Sequence, residues 1–307
     1  MLKKLTHHFL LLGLAVGVFY ASGAFAYNDK TTHPALTAEI VDYYNATHGN
    51  KISEEEKQWM MEGSRLEDQP PRWLNHFYDP ISGEGWTGEH AGSLSPEEVR
   101  EWASAILWGD KPLPSIDWVN NELAQDAYFR YGGNRTWKRA LDYWARSTPS
   151  TGVVLISPEE ADENRREAYR TLGYVLHLLE DAGVPDHTRN DTHAEPVQGF
   201  TGDPGSPLEQ YAEQFSPSNI KQFGVADGLA GSGAAVPRFS RIEDYIISTA
   251  QYSNKYFFSK DTIGDPKYEL PKIIRDDGSF GYGLDENSTE FTLVKVDIST
   301  DGNRNIF

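Results

Sequence analysis

The sequence predicts a mainly α-helical fold that ends in a small β element, on three observations. Ser-x-x-Glu motifs, which cap helix N-termini, recur ahead of several periodic segments. The segment after Ser157 carries apolar residues at three- and four-residue steps, which is the spacing of one helix face. After Lys260 the pattern changes, and residues 291–298 alternate between polar and apolar as in a strand.

The predicted helices begin where short polar residues can cap a free helix end. Thr37 is expected to cap a helix that ends near Thr47. Ser53 and Ser95 each stand three residues before a Glu, a pattern that predicts capping boxes. The helices that they open are expected to end near Met61 and Trp108, and further helices are predicted for residues 118–131, 137–147, 157–181, 206–215 and 240–258.

The segments between these helices are predicted to be loops. Residues 65–92 are rich in Pro, Gly and Asp without a sustained period, which favours a long loop with a functional role. Residues 224–236 are rich in Gly and Ala and are expected to be mobile. Asp277-Gly278 is a turn signal ahead of the strand-like residues. We expect the β element either to extend the edge of the helical body or to form a separate flap.

The longest predicted helix, residues 157–181, carries two neighbouring stripes of side chains. One stripe contains Gly173, His177 and Asp181. Glycine inside a helix costs about 1 kcal/mol relative to alanine, so we expect another segment to approach closely at Gly173. The other stripe is predicted to face the core and consists of Ala168, Leu172, Val175, Leu176 and Leu179.

The first 26 residues have the features of a cleavable secretory signal peptide. Two lysines precede an apolar run from Phe9 to Phe19, and Ala24-Phe25-Ala26 is a small-residue cleavage signal. We therefore expect a mature chain that starts at Tyr27, is exported to the periplasm or the medium, and has no transmembrane anchor. A helical domain over residues 27–262 and a C-terminal extension over residues 263–307 are predicted.

Charge and cysteine content restrict the chemistry that the chain can use. The formal net charge is -18 for 307 residues, and such an acidic surface argues against tight nucleic-acid binding. A small phosphodiester substrate remains compatible with this charge, because bound cations dominate the local field. The chain has no cysteine, so a metal site would use His, Asp, Glu and backbone groups. The oligomeric state is left open.

The clearest chemical signal lies where the longest predicted helix ends. His177 and Asp181 are four residues apart and therefore share one helix face. Gly183 and Pro185 end the helix, and the turn that follows can bring His187 back towards that face. Two imidazoles and a carboxylate on a rigid support suit zinc, which prefers neutral nitrogen and anionic oxygen ligands.

These residues, together with two upstream segments, resemble the zinc-dependent phospholipase C / P1-type nuclease superfamily. The motif His177-x3-Asp181-x5-His187 is the central match, with Ala182-Gly183-Val184-Pro185 as the proline-containing turn. The upstream matches are Glu67-Asp68 followed by Asn75-His76-Phe77-Tyr78-Asp79-Pro80, and His33 near the expected mature N-terminus. The resemblance spans residues 27–259 and implies a helical domain with three zinc ions in a cleft.

The same resemblance implies which residues hold each ion. A second zinc would share Asp181 with the first and would add His33 and the free amine and carbonyl of Tyr27. A third would use His187, a later histidine and a later carboxylate, for which we select His193 and Glu209. The first zinc would be bound by Asp68, His76, His177 and Asp181.

The final carboxylate is the least determined of these ligands. The family commonly places its last histidine and acid one helical turn apart, but the residue at that spacing from His193 is Val197. Glu209 also stands three residues after Ser206, so it fits a capping box equally well. Asp191, Glu195 and Glu213 therefore remain alternatives.

The function implied by the resemblance is that of a secreted phosphoric ester hydrolase, most similar to phospholipase C. Asp181 would bridge two zinc ions that activate water, and Asp68 would orient or deprotonate that water. Arg189 is a candidate donor to the phosphate, and Tyr78 or Trp86 is a candidate contact for a quaternary ammonium head group. The alternatives are a P1-type single-strand nuclease or 3′-nucleotidase, with a stacking platform for bases, and a non-catalytic zinc-binding protein.

Overall fold

The computed structural model describes most of the chain after its first 29 residues. The described residues are 30–91, 94–106, 111–148, 156–193, 206–232, 237–278, 280–286, 288–294, 296–297 and 305–306. The predicted signal peptide and Tyr27 lie outside these ranges. Within the described residues, no helix is both long enough and apolar enough to cross a bilayer.

The fold is mainly helical, as predicted. The α-helices are α1 (Thr32–His48), α2 (Glu54–Glu67), α3 (Pro96–Ile106), α4 (Ser115–Trp118), α5 (Glu122–Asp126), α6 (Trp137–Arg146), α7 (Pro158–Asp181), α8 (Pro185–Thr188), α9 (Pro207–Ala212), α10 (Val225–Ser232) and α11 (Ile242–Tyr256). Short 3-10 turns cover Arg72–Asn75, Ile220–Phe223 and Lys260–Thr262.

The predicted C-terminal β element is also present. Strands β1 (Ile273–Asp276), β2 (Phe280–Leu284) and β3 (Glu290–Val294) form an antiparallel sheet in sequence order. A two-stranded ladder joins Val296–Asp297 to Asn305–Ile306. The sheet packs on the end of α11, where Tyr256 contacts Phe291 with ring centroids 5.4 Å apart. Whether the extension forms a separate domain stays a prediction.

Serine caps place four helix starts where the sequence predicts them. Ser53 and Ser95 each form a complete capping box, with both the side-chain and the backbone hydrogen bonds present. Ser157 and Ser206 each accept a hydrogen bond from the backbone N–H three residues later. Ser240 does not cap a helix, because α11 begins at Ile242 with Arg241 at the cap position.

Several boundaries differ from the prediction because tertiary contacts override local signals. Helix α1 starts at Thr32, so Thr37 lies inside it and donates its hydroxyl hydrogen to Glu180 rather than capping. Helix α2 continues past Met61 to Glu67. Residues 118–131, predicted as one helix, contain the end of α4 and the short α5. Part of the segment predicted to be mobile, residues 224–236, forms α10.

The predicted core stripe of the longest helix is only partly correct. Ala168 and Val175 are buried, whereas Leu172, Leu176 and Leu179 are half-buried. Leu172 and Leu176 line a cavity of about 670 Å³ between α1, α6 and α7. The fully buried face of α7 is instead the one that carries Gly173, His177 and Asp181, because α2 packs against it.

Helices α2 and α7 cross in close contact at a pair of glycines, Gly63 and Gly173. A methyl group on Gly173 would lie well inside van der Waals contact of the Met60 carbonyl oxygen. One on Gly63 would meet the Arg170 carbonyl oxygen in the same way. The close approach expected at Gly173 is therefore present, and it brings the end of α2 against the last turns of α7.

Candidate metal centre

The candidate ligands come from distant parts of the chain but lie in one buried region. Helix α1 supplies His33 near its start. Asp68 follows the end of α2, and His76 follows the 3-10 turn after it. The remaining candidates lie later in the chain, on helices α7 to α9 or between them. They are His177 and Asp181 on α7, His187 on α8, His193 after α8, and Glu209 on α9.

The Asp181 carboxylate is the centre of this region, and its two oxygens face different sides. Oδ1 lies 3.3 Å from Nε2 of His33. Oδ2 lies 2.8 Å from Nδ1 of His76 and 3.1 Å from Nε2 of His177. His187 also approaches Oδ2, with its Nδ1 at 3.5 Å. A carboxylate in this position can serve two neighbouring cations, one on each oxygen.

The ligand atoms next to Asp181 form two groups that can each hold a cation. One group consists of His33, His177 and Asp181, and the other of Asp68, His76 and His177. His177 is common to both, but its Nδ1 lies 2.8 Å from the Ser64 carbonyl oxygen, which fixes that nitrogen as a donor. Only Nε2 can ligate, so His177 serves one cation, and Asp181 is the residue that can be shared.

A third group lies at the edge of this region. Nε2 of His187 and Nε2 of His193 face each other at 3.3 Å. The Oε1 atom of Glu209 is 3.0 Å from the His193 nitrogen and 3.7 Å from the His187 nitrogen. Two imidazole nitrogens that point at the same place as a carboxylate form a donor set suited to a transition metal.

The donor atoms fit metal ions better than they fit hydrogen bonds with one another. Among the described residues, no donor meets hydrogen-bond geometry with either Asp181 oxygen, with His187 Nδ1 or with Glu209 Oε1, although all are buried. Buried polar atoms without such partners are costly, and a bound cation would satisfy them. Nδ1 of His76 and Nε2 of His177 also face each other at 3.2 Å, an arrangement expected for two ligands of one ion.

Burial and neighbouring charges shift the pKa values of the clustered side chains in opposite directions. Burial lowers the pKa of His76, but the negative charges of Asp181 and Glu67 outweigh it and raise the pKa to about 9. Burial would raise the pKa of Asp181, but the surrounding imidazoles, His187 first, hold it well below its ordinary value. Burial holds the pKa of His187 well below its ordinary value. Cation uptake by such a cluster releases protons.

The structure places some predicted residues away from the roles first considered. Arg189 is fully buried, where its Nη2 atom donates to the backbone carbonyl oxygens of Asn254 and Glu269 and its guanidinium lies over the Tyr268 ring. Tyr78 and Trp86 are only 8% and 5% exposed and pack in the main core. These two rings therefore stabilise the fold and do not face a head group.

Of the alternatives for the last carboxylate that the structure describes, Glu209 is the one that meets the imidazoles. Its backbone N–H donates to Ser206, so it does belong to a cap, but its side chain reaches His193 instead of the Ser206 backbone. Glu213 is exposed, and the Asp191 side chain accepts from the Asp261 backbone. Glu195 and Tyr27 lie outside the described residues.

Two carboxylates that contact the candidate ligands were not anticipated. Glu180 lies 2.7 Å from Nδ1 of His33. Glu67 lies 3.6 Å from Nε2 of His76 and also binds Arg72 and Trp118. Both acids stand directly before a predicted ligand in the sequence, but their partners are distant along the chain. The sequence therefore offered only one hint of these contacts, which is that each acid directly precedes a predicted ligand.

Substitution of Glu209 tests the third group directly. We expect Glu209→Gln to weaken the binding of a cation at His187 and His193 by about 10–100-fold, because an anionic ligand becomes neutral. The matched control is Glu213→Gln, four residues later and exposed. Metal content after dialysis against graded chelator measures both variants. Equal retention in Glu209→Gln and Glu213→Gln would contradict a ligand role for Glu209.

The fold and the site together describe a mainly helical protein with buried His, Asp and Glu groups that can hold metal ions. The sequence matches no family model and no curated protein. A similar solved structure is "Alpha Toxin from Clostridium Absonum", at 14% identity, 90% coverage of this chain, 80% coverage of the toxin and a TM-score of 0.30. That likeness is too distant to carry an argument, so the case for function rests on the geometry of the site.

Proposed function

We propose that this protein is a zinc-dependent phosphoric ester hydrolase that binds three zinc ions and acts on a phospholipid, as a phospholipase C does. The observation that carries the proposal is the Asp181 carboxylate, whose two oxygens face different histidines. A carboxylate shared between two cations would hold them close together, and close spacing of the two ions is what two-metal hydrolysis uses. The resemblance of the His177–His187 motif to the phospholipase C / P1-type nuclease superfamily supports the same conclusion.

The residues that would hold the ions follow from the three groups. Asp68, His76 and His177 would hold one ion with Asp181, and His33 would hold a second with the other Asp181 oxygen. His187, His193 and Glu209 would hold the third. Zinc bound in such a cluster supplies Lewis acidity towards a phosphoryl oxygen and a water of near-neutral pKa.

The protein's own side chains would orient the reactants around these ions. Asp68 has carboxylate oxygens within reach of the His76 and His177 nitrogens, and we assign it the orientation of the attacking water. Asp181 keeps its negative charge among four imidazoles, since those neighbours lower its pKa. Glu209, with 12% of its side chain exposed, and His193 lie on the least buried side, and we place the substrate phosphate there.

A second function is favoured by a different observation, namely how deeply the ligands are buried. The side chains of His33, His76, His177 and Asp181 are fully enclosed. Structural zinc sites are closed in this way, whereas a catalytic site needs a position open to water. A secreted protein with structural zinc and no catalysis is therefore the competing proposal. The two differ in whether zinc-loaded protein turns over a phosphodiester.

Zinc analysis combined with a substrate comparison tests the proposal. We expect about three zinc ions per processed chain and hydrolysis of a short-chain phosphatidylcholine that a chelator stops and added zinc restores. The net charge of -18 disfavours a polyanionic substrate, so single-stranded DNA should be cleaved more slowly. Faster cleavage of DNA would identify the nuclease alternative. Full zinc content with no turnover of either substrate would identify the structural alternative.

A further inference from the structure

Glu180 is a buried carboxylate that none of the three ligand groups includes. Its side chain is 3% exposed, and it lies on α7 directly before Asp181. Its Oε2 atom is 2.7 Å from Nδ1 of His33 and accepts from the Ser64 hydroxyl at 3.3 Å. Its Oε1 atom accepts from the Thr37 hydroxyl at 2.8 Å. Glu180 thus joins α1 and α2 to α7 next to the candidate metal centre.

The position of the His33 ring depends on this carboxylate. With Nδ1 donating to Glu180, the opposite nitrogen Nε2 faces Asp181 Oδ1 at 3.3 Å. The ring also stacks on His177, with centroids 3.7 Å apart and an interplanar angle of 25°. Stacking alone would also allow a half-turn of the ring about its Cβ–Cγ bond, because that rotation leaves the ring plane unchanged and moves Nε2 to the other side. The contact with Glu180 selects the orientation in which Nε2 points at the shared carboxylate.

We propose that Glu180 is a positioning residue that holds His33 in the tautomer and orientation needed to ligate zinc beside Asp181. This inference rests on the proposed zinc binding and adds a residue that determines its strength. Hydrogen bonds to the second nitrogen of a ligating histidine fix its orientation and increase its basicity, and their loss costs roughly 10–100-fold in metal affinity. Glu180 itself belongs to none of the three candidate ligand groups.

Comparison with His177 and His193 shows why Glu180 is an informative case. Nδ1 of His177 donates to the Ser64 carbonyl, and Nδ1 of His193 lies 2.7 Å from the Asp191 carbonyl. Those acceptors are backbone atoms, which no substitution can remove. His33 has a carboxylate side chain in the same role. Its contribution can therefore be deleted while the histidine remains intact.

Two substitutions separate positioning from simple packing. Glu180→Met keeps the length and bulk of the side chain and removes the acceptor, whereas Glu180→Gln keeps one carbonyl oxygen that His33 can use. In a zinc titration followed by histidine ¹⁵N NMR, we expect Glu180→Met to weaken binding at His33 by about 10–100-fold. We expect Glu180→Gln to lie closer to the unmodified protein. The His193 signals should respond to zinc equally in all three proteins.

Controls keep the test decisive. Glu163→Gln changes an exposed carboxylate on the same helix, 62% exposed, and should leave the titration unchanged. Thr37→Val removes the hydroxyl that donates to the other Glu180 oxygen, and it should weaken zinc binding at His33 by a smaller factor than Glu180→Met. This variant tests the proposal even if Glu180→Met does not fold. Equal zinc affinity at His33 in all variants, or equal losses at His33 and His193, would overturn the proposal. The titration measures binding, so an absence of phosphodiester turnover would count against the hydrolase and not against Glu180.

Discussion

Replacement of Asp181 by Asn should remove the two zinc ions that meet at this carboxylate and lower phosphodiester hydrolysis by about 10³-fold or more. The cause is the geometry of its two oxygens, one near His33 and the other near His76 and His177. An amide presents one weak oxygen ligand and one NH₂ group that repels a cation. No other described carboxylate stands between the two groups at these distances.

Zinc content and turnover, measured on the same preparation, check this expectation. The zinc content should fall from about three ions per chain to about one, because the group of His187, His193 and Glu209 contains its own donors. The control is Asp162→Asn, an exposed position on the same helix. Circular dichroism excludes loss of the fold, and His76→Ala provides a second variant. If Asp181→Asn retained about three zinc ions and full activity, the shared-carboxylate mechanism would be wrong.

Local signals in the sequence were sufficient to predict the starts of the helices that a serine caps. Ser53, Ser95 and Ser157 cap helices where the motif predicts, because a capping hydrogen bond involves only residues three apart. Ser240 shows the limit of that signal, since the same pattern lies outside the helix that follows it. The start of α1 was missed for a related reason: its first turn is stabilised by tertiary contacts, among them the bond from Thr32 to the Ala212 carbonyl.

The candidate ligands could be proposed from the sequence because they stand in an ordered pattern, and the structure brings the described ones into groups that can hold a metal ion. What that pattern lacks is the identity of the residues that hold the ligands in place. Glu180 and Glu67 look like ordinary helix carboxylates, and only the crossing of helices reveals that they face His33 and His76. The same limit applies to Arg189, which adjoins the site in sequence but is directed into the core.

The apolar periodicity of α7 was misleading about which face of the helix is buried. Leu172 and Leu176 have the spacing of a core stripe, yet they border a cavity, while the stripe of Gly173, His177 and Asp181 is fully enclosed. A hydrophobic pattern ranks faces by their apolar content. It takes no account of a polar face that becomes buried because another helix covers it. Gly173 was the residue that indicated the true packing face.

Replacement of Gly173 by Ala should therefore damage both the fold and the site. The added methyl group would overlap the Met60 carbonyl oxygen, and the backbone of α2 can yield only by moving away. We expect a loss of about 3 kcal/mol or more in unfolding free energy, which is the upper range for overpacking in a well-filled interior. In thermal unfolding this corresponds to a decrease of roughly 6–12 °C in Tm.

Separation of α2 from α7 also predicts a specific effect on metal binding. Asp68 and the Ser64 carbonyl belong to the end of α2, whereas His177 and Asp181 belong to α7. Zinc affinity at the groups that include His177 should fall in Gly173→Ala and in Gly63→Ala, and the group on α8 and α9 should be affected less.

Gly228→Ala on α10 is the matched control, because a methyl group there meets nothing within 4 Å. In that variant we expect the unfolding free energy to increase by no more than about 1 kcal/mol, because alanine restricts the conformations of the unfolded chain. If all three glycine variants kept the same Tm and zinc content, the close crossing would not be what assembles the site. The positions of Asp68 and His177 would then have to be set by the 3-10 turn and the loop around it, independently of the contact between the helices.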